Sequence, residues 1–490
     1  MRNNNIHKIQ SIQSILIAAS ILAMLPSSAY SQTVKTSPRL IINIAIDQLR
    51  TDYLESFAPL YGQEGFKKLL QDGMVFENAS YPFAPVDRSS AIATIASGTS
   101  PYYHGVVGNM WLNRESLRPT YSDDGTPNQI TTSTIGDEMK VATAGASKVF
   151  SIAPSRDAAI FSGGHAADGA FWINDLSGEW NTSAYYVRSV PEWVLQFNKN
   201  HPNTLKGYKE IKKHKESGAI NQNVEDMALA CIENNQLGQD DITDLLNITY
   251  YAGNPTHSNV TTWQSELQQT YVSLDNILAD FIRKTQEKVG SDRVMFVITS
   301  TGYSNEETLE DNSRYRIPSG TFYLNRTANL LNMYYGALYE SSDKYVETCF
   351  RNQIFLNHKL LEQKKISLAD ALSRAEEFLM LVDGVREVYT SQRLFTEHNP
   401  KIEKRRNGFN IDRCGDILIE VTPGWKLVNE DNNLSEISRL GYFQFPVIFY
   451  GGGVKAGRVT TPVSVDQIAP TITKSIRIRA PNACSAQPLF

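Results

Sequence analysis

Four cysteines in 490 residues, Cys231, Cys349, Cys414 and Cys484, are too few and too scattered for a metal-bound or disulfide-built scaffold. No CxxC occurs, and no cysteine lies in a cluster with histidine, so a zinc ribbon has no support. A basic excess is also missing. The formal net charge is −5 and the pI about 6.0, which removes the electrostatic basis of nucleic-acid binding. The basic runs "KEIKKHK" (209–215) and "KIEKRR" (401–406) are short and read as solvated helix faces. No internal repeat and no low-complexity segment is present. Beyond the first thirty residues no window approaches a transmembrane length.

The N-terminus has its own character. "MRNNNIHKIQ" carries positive charge, "ILIAASILAML" (15–25) is apolar but short for a bilayer span, and "SSAYSQ" supplies small residues before Gln32. This reads as a secretory signal peptide over 1–31, with an uncleaved anchor as the alternative. The expectation is an exported chain, periplasmic or extracellular, without an integral membrane segment after cleavage. Export leaves room for one or two disulfides, whose pairing the spacing does not give.

The mature chain, 32–490, is 41% hydrophobic by the whole-chain composition, enough for a large core. "LIINIAIDQLR" (40–50) is a nearly continuous apolar run closing on Asp47, the pattern of a strand buried on both faces. "KVFSIA" (148–153), "DLLNITYYAG" (244–253), "RVMFVITS" (293–300) and "FPVIFYGGG" (445–453) share that character, and helical segments such as 65–73, 262–288 and 465–476 alternate with them. Alternation of this kind predicts a doubly wound, mostly parallel α/β sheet whose site lies beyond the C-terminal strand ends. Asp47, Asn254, Ser300 and Thr301 fall at such ends. Residues 303–410 break the rhythm and read as an α+β insertion, expected to cover the strand ends as a lid.

Taken together, "AIDQLRTDYL" (45–54), "GFKKLLQDGMVFENASYPFAP" (65–85), "SGTSPYYHGVVGN" (97–109), "TIGDEMK" (134–140), "GGHAADGAFW" (163–172), "RCGDILIEVTPGW" (413–425) and "FPVIFYGGGVKAG" (445–457) resemble the alkaline phosphatase superfamily. The resemblance is to exported phosphate-irrepressible alkaline phosphatases near the nucleotide pyrophosphatase/phosphodiesterase branch. It implies the alkaline-phosphatase type of fold, two zinc ions, and a Thr or Ser nucleophile that attacks phosphoryl esters.

Position by position, this sequence departs from that pattern. The first-strand acid is present as Asp47, but Arg88 stands where the nucleophile belongs. Asn254 and Ser258 stand at a ligand pair, with His257 one residue out of register. Ser300 and Thr301 stand at an Asp-His pair, and Gln444 at a late His. Ser155, Arg156 and Asp157 match a phosphate-gripping Lys-Asp-Arg, read here as strand, so that Ser155 and Asp157 would face the site. Neutral Ser, Thr, Asn and Gln are poor zinc ligands, so the expectation is no cofactor and a lost zinc pair. The resulting picture is a pseudoenzyme that acts by binding an unidentified protein of the cell envelope, or as a scaffold there. The alternative is a divergent phosphohydrolase or phosphodiesterase using Ser89 or Ser90. His104 and His165 read as structural, hydrogen-bonded histidines. Arg88 itself is expected to substitute for metal charge by pairing with Asp47, Asp157 or both.

Overall fold

The computed structural model describes residues 37–253, 263–304, 320–431, 434–437 and 443–490. Its centre is a sheet of ten strands. In chain order these are β1 (Leu40–Asp47), β2 (Met74–Ser80), β3 (Val149–Ile152), β4 (Gly169–Ile173), β5 (Trp180–Asn181), β6 (Asp244–Tyr251), β7 (Val294–Ser300), β8 (Phe445–Gly451), β9 (Gly457–Val459) and β10 (Val463–Ser464). The order across the sheet is β9-β2-β8-β7-β1-β6-β3-β4-β5, with β10 beside β2. Strands β7, β1, β6, β3 and β4 run parallel.

Strand β1 shows why its sequence has almost no polar residue. Leu40, Ile42, Ile44 and Ile46 enter one apolar cluster, while Ile41 and Ala45 enter another on the opposite face. Alternate side chains of a strand point to opposite faces, so a strand covered on both needs apolar residues at every step. Each buried Leu or Ile stabilises the fold by about 1.5–3 kcal/mol as an upper estimate. Asn43, the polar residue within the run, is held across the sheet by its amide alone: Nδ2 donates to Asn247 Oδ1 at 3.0 Å, and Asn247 donates on to the Ser162 carbonyl at 2.9 Å, while Asn43 Oδ1 has no partner among the described residues.

One expectation needs correction. The "FPVIFYGGG" run forms β8, but β8 is antiparallel to both of its neighbours, β2 and β7. Apolar continuity reports burial on two faces, which a strand of either direction experiences inside a covered sheet. The reversal has a consequence for the site. The residue before β8, Gln444, comes to the same sheet edge as the C-terminal ends of β1, β6 and β7. Thr51, just past β1, donates its N–H to the Gln444 carbonyl at 2.9 Å.

Helices α1 (Arg88–Ser97), α2 (Arg156–Gly163), α3 (Ile220–Asn234) and α4 (Trp263–Val289) flank the sheet. Every residue of α1 after Arg88 is buried, and its composition, RSSAIATIAS, is small or apolar on all sides, as a helix enclosed all round requires.

Smaller sheets stand outside the central one. Strands Val346–Phe350, Gln353–Leu356, Ile417–Val421 and Val385–Thr390 form one of four, and Thr321–Tyr323, Lys426–Asn429 and Leu434–Ile437 form one of three. They therefore draw strands from within 303–410 and from beyond it. Phe322, Leu331, Tyr335, Leu372, Ile417 and Leu427 belong to the apolar core of this region. Its helix α5 (Pro400–Asn407) grips the loop that leaves β2: the Lys404 carbonyl accepts from Ala84 N–H at 2.9 Å, and Asn407 donates to the Pro82 carbonyl at 3.0 Å. That loop leads straight into α1, so the contacts lie at the edge that carries Asp47.

All four cysteines are free, in place of the one or two disulfides that export would allow. The fold separates them. Cys231 lies in the core beneath the central sheet, Cys349 packs against the outer core, Cys414 sits in a small cluster with Tyr389 and Phe409, and Cys484 lies in the C-terminal segment.

Candidate functional site: a buried ion-pair cluster

Asp47 ends β1 with its carboxylate buried. Thr301 Oγ1 donates to Asp47 Oδ1 at 2.8 Å, and Tyr303 Oη lies 3.3 Å from Oδ2. The chain then turns into a positive φ of 64° at Gln48, whose N–H donates to Thr301 Oγ1 at 3.0 Å. A non-glycine residue held there is strained, and the two bonds through Thr301 help hold it. Gly302 makes the approach of Tyr303 feasible. Its φ is 67°, and a Cβ at that position would lie 2.6 Å from the Tyr81 ring and 2.8 Å from that of Phe445.

Arg88 enters from the head of α1. Its Nε lies 3.1 Å from Asp157 Oδ2 and 3.3 Å from Oδ1, and its Nη1 lies 3.6 Å from Asp47 Oδ2. The guanidinium thus bridges two carboxylates from different elements, with its side chain 23% exposed and both acids nearly enclosed.

The protonation directions follow from this packing. Burial raises the Asp47 pKa, and Arg88, Thr301 and Tyr303 only partly offset it. Burial acts in the same sense on Asp157, but Arg88 and the Ser89 hydroxyl outweigh it and hold its carboxyl below the usual carboxylate range. Burial alone would lower the Arg88 pKa; Asp157, Tyr303 and Asp47 instead raise it well above normal. Burial and Asp47 push Tyr303 far up, so its phenol stays protonated and serves as a donor.

The strand reading of 155–157 is overturned. Strand β3 stops at Ile152, Ser155 is the N-cap of α2, and Arg156 and Asp157 open the helix. Helical rather than strand geometry sorts the three. Asp157 turns inward to Arg88, while exposed Arg156 turns outward to Asp123 at 2.9 Å. No hydrogen bond joins the Ser155 side chain to the cluster among the described residues.

Ser300 and Thr301 are both buried but have different tasks. Ser300 Oγ donates to the Leu49 carbonyl at 2.7 Å and accepts from Gly302 N–H at 3.1 Å, bracing the turn around the acid. The exposed side chain of Gln444 makes no hydrogen bond to the cluster among the described residues. Asn254, His257 and Ser258 lie outside the described residues.

Neither fallback nucleophile is presented to a substrate. Ser90 is the third residue of a capping box with Asp87: its N–H donates to Asp87 Oδ1 at 3.0 Å and its hydroxyl to the same oxygen at 2.8 Å. Ser89 is fully enclosed, and its hydroxyl donates to Asp157 Oδ2 at 2.7 Å. Asp87→Ala should cost about 1 kcal/mol from the lost cap, read as a shift in the urea midpoint at unchanged slope. An unchanged midpoint would show that the box adds nothing to α1.

His104 is completely buried. Its Nδ1 accepts from Val106 N–H at 3.1 Å, which leaves Nε2–H to donate to Thr94 Oγ1 at 3.0 Å. Burial, with Arg413 nearby, pushes its pKa down to about 3. His165 Nδ1 lies 3.0 Å from Asp137, which also fixes the His165 and Ala166 N–H groups. Both histidines brace turns.

Tyr303, Ser122 and Asp87 were not foreseen in the site. Ser122 lies 3.4 Å from Ser89, and Asp87 receives the Asn109 N–H at 2.6 Å. A buried carboxylate must find donors, and Tyr303 is the next hydroxyl after Thr301. Spacing alone did not disclose that Gly302 turns it back.

With this geometry in place, the comparisons with known proteins decide the family. The model of the type I phosphodiesterase / nucleotide pyrophosphatase family matches residues 41–442. The chain belongs to that family. Alkaline phosphatase PafA of Elizabethkingia meningoseptica is 27% identical over 526 residues, covering 92% of this chain and 94% of that protein. Alkaline phosphatase PhoV of Synechococcus elongatus is 26% identical over 524 residues, covering 94% of each. The crystal structure of wild-type PafA superposes with a TM-score of 0.79 at 24% identity, over 92% of this chain and 98% of that one. Murine ectonucleotide pyrophosphatase/phosphodiesterase 5 gives 0.54 at 11% identity, over 90% of this chain and 95% of that one. These likenesses establish the α/β fold of the alkaline-phosphatase type.

Among the described residues, the donors around Asp47 do not suit a zinc ion of the pair that the resemblance implies; candidate positions 254–258 lie outside them. Around Asp47 stand two neutral hydroxyl donors and a guanidinium 3.6 Å away, where a dication needs anionic or imidazole ligands. Among the described residues no group of three or more His, Cys, Asp and Glu is arranged to hold a metal. No helix among them is long and apolar enough to cross a membrane.

Proposed function

We propose that this phosphodiesterase-family chain is an exported pseudoenzyme whose catalytic centre has become a structural ion-pair cluster, and that it works by binding in the cell envelope. The observation that carries the reading is the position of Arg88. Its guanidinium lies between Asp47 and Asp157 and supplies fixed positive charge beside a first-strand acid. A cation bound on Asp47 would face that guanidinium at close range, and like charges in a buried site repel strongly. The family supports phosphoryl-ester chemistry as the ancestral activity. The enclosed Ser89 and Ser90 hydroxyls support loss of that activity here. An envelope protein is the proposed partner, its identity open.

The test is hydrolysis of p-nitrophenyl phosphate and bis-p-nitrophenyl phosphate by the purified mature chain, with zinc, magnesium or manganese added. Expected are rates at the uncatalysed background and well under one zinc per chain by elemental analysis. Stoichiometric zinc with turnover would overturn the reading. Turnover abolished by Ser89→Ala would install the divergent hydrolase in its place.

A further inference from the structure

A second candidate site lies away from the Asp47 cluster and shares no residue with it. A cleft of about 720 Å³ opens between the hairpin that contains Trp111 and Arg114 and the segment 409–416. Its size is that of a small-molecule pocket. The wall carries Phe409, Ile411 and Leu368, and the polar lining includes Arg114, Arg413, His358 and Ser391.

The two arginines are held in unlike ways. Arg413 stacks on Trp111 with its guanidinium carbon 4.5 Å from the ring centre. Its Nη1 donates to the carbonyls of Gly105 at 2.6 Å and Gln129 at 2.8 Å. Those bonds fix its direction without neutralising it. Among the described residues no carboxylate lies within ion-pair distance of it, and its Nε and Nη2 have no acceptor. Arg114 is paired: Nη2 donates to Asp416 at 3.0 Å and to the Cys414 carbonyl at 2.7 Å, while its buried Nε has no partner among the described residues. His358 Nε2 lies 2.9 Å from the same Asp416 carboxylate, so one buried acid serves both Arg114 and His358. The remaining acids of the lining, Glu115 and Asp412, are exposed at its rim.

A half-buried guanidinium, oriented by aromatic stacking and with two donors open, is the usual receptor for a planar or tetrahedral oxyanion. The apolar wall beside it suits an aryl or alkyl body. We propose that this cleft binds small organic oxyanions, a phosphate or carboxylate head on an apolar body, with Arg413 as the principal contact.

The experiment uses the mature chain with 15N-labelled tryptophan, the Trp111 indole signal being assigned by its absence in Trp111→Phe. Phenyl phosphate, benzoate and inorganic phosphate are titrated separately. Expected is a saturable shift of the Trp111 signal with phenyl phosphate or benzoate, with Kd on the order of 1 mM or below. The phosphate and carboxylate arms identify the preferred head group. Inorganic phosphate should bind at least tenfold more weakly, because it lacks the apolar body. Arg413→Gln should weaken binding by tenfold or more. Because Arg413 also ties two backbone carbonyls, Ile411→Asp at a 63% exposed rim position gives an independent check, with the same expected loss and little risk to folding. Absence of a saturable Trp111 shift up to 10 mM, about tenfold above the weakest expected Kd, would overturn the proposal. So would equal affinity for inorganic phosphate, or affinity unchanged in folded Ile411→Asp.

Discussion

Arg88→Ala is expected to lower the unfolding free energy by about 3–5 kcal/mol at pH 8, with the partial exposure of Arg88 placing it toward the lower end. The physical reason is what the substitution leaves behind. Asp47 and Asp157 would remain enclosed at a sheet edge, with hydroxyl donors but no cation between them. Removing one partner of a buried pair costs far more than the pair contributes over an apolar replacement, because the desolvation of the survivor is no longer offset.

The pH dependence gives the sign. Asp157 is held low in the intact protein, so its contribution is present above its unfolded pKa and is lost as pH falls through the folded value. Asp47 is already raised, so ionising it opposes folding as pH rises. Without Arg88 both carboxyls shift upward, and the stability they then contribute exists only at low pH. The gap between wild type and Arg88→Ala should therefore widen from about pH 5 to pH 8. Urea unfolding at the two pH values measures it. A gap under about 0.5 kcal/mol at both would show that Arg88 is an ordinary surface residue. Adding Asp157→Asn to Arg88→Ala should recover part of the loss, since it removes one of the stranded charges.

Asp416→Ala is the second substitution with a large expected cost, again about 3–5 kcal/mol. The side chain is only 4% exposed. Its carboxylate accepts from Arg114 at 3.0 and 3.3 Å, from His358 at 2.9 Å and from the Leu356 N–H at 2.8 Å. Burial alone would raise its pKa, but His358 and Arg114 together hold it below the ordinary range. Its contribution should therefore be full above about pH 4 and fall away on acidification. The bond to Asp416 raises the His358 pKa, so that group's smaller, solvent-screened contribution is complete below about pH 6.5 and is lost as pH rises through its folded value. Glu77→Ala, at an exposed pair with Arg458, is the control and should cost under about 1 kcal/mol. Similar small losses in both variants, by urea unfolding at pH 7, would refute the distinction between enclosed and exposed pairs on which the Arg88 argument also rests.

How much of this was legible in advance differs by residue. Strands at 40–47, 149–152, 244–251 and 294–300 announced themselves because a sheet covered on both faces demands apolar residues without alternation. The same property concealed direction, so the reversal of 445–451 came only with strand pairing. Asp47 at the first strand end and Arg88 just past the loop that leaves β2 were readable from neighbouring motifs, since those motifs fix register along the chain. The partners of Arg88 were not equally readable. Asp157 was expected as a partner, but on a strand; it reaches Arg88 because the chain has already turned into a helix at Arg156, where successive side chains rotate by about 100° instead of 180°. Tyr303 depends on a left-handed turn at Gly302, which spacing does not encode.

By itself, then, the sequence determined the fold class and the family pattern, because these are properties of residue type and local period. Tertiary structure decided which acids share the one guanidinium, which hydroxyls are locked into caps, and that Arg413 faces a cleft without an ion-pair partner among the described residues. Those are outcomes of long-range packing: they depend on distances between residues up to several hundred positions apart, such as Asp47 and Thr301 at 2.8 Å, which no local pattern constrains.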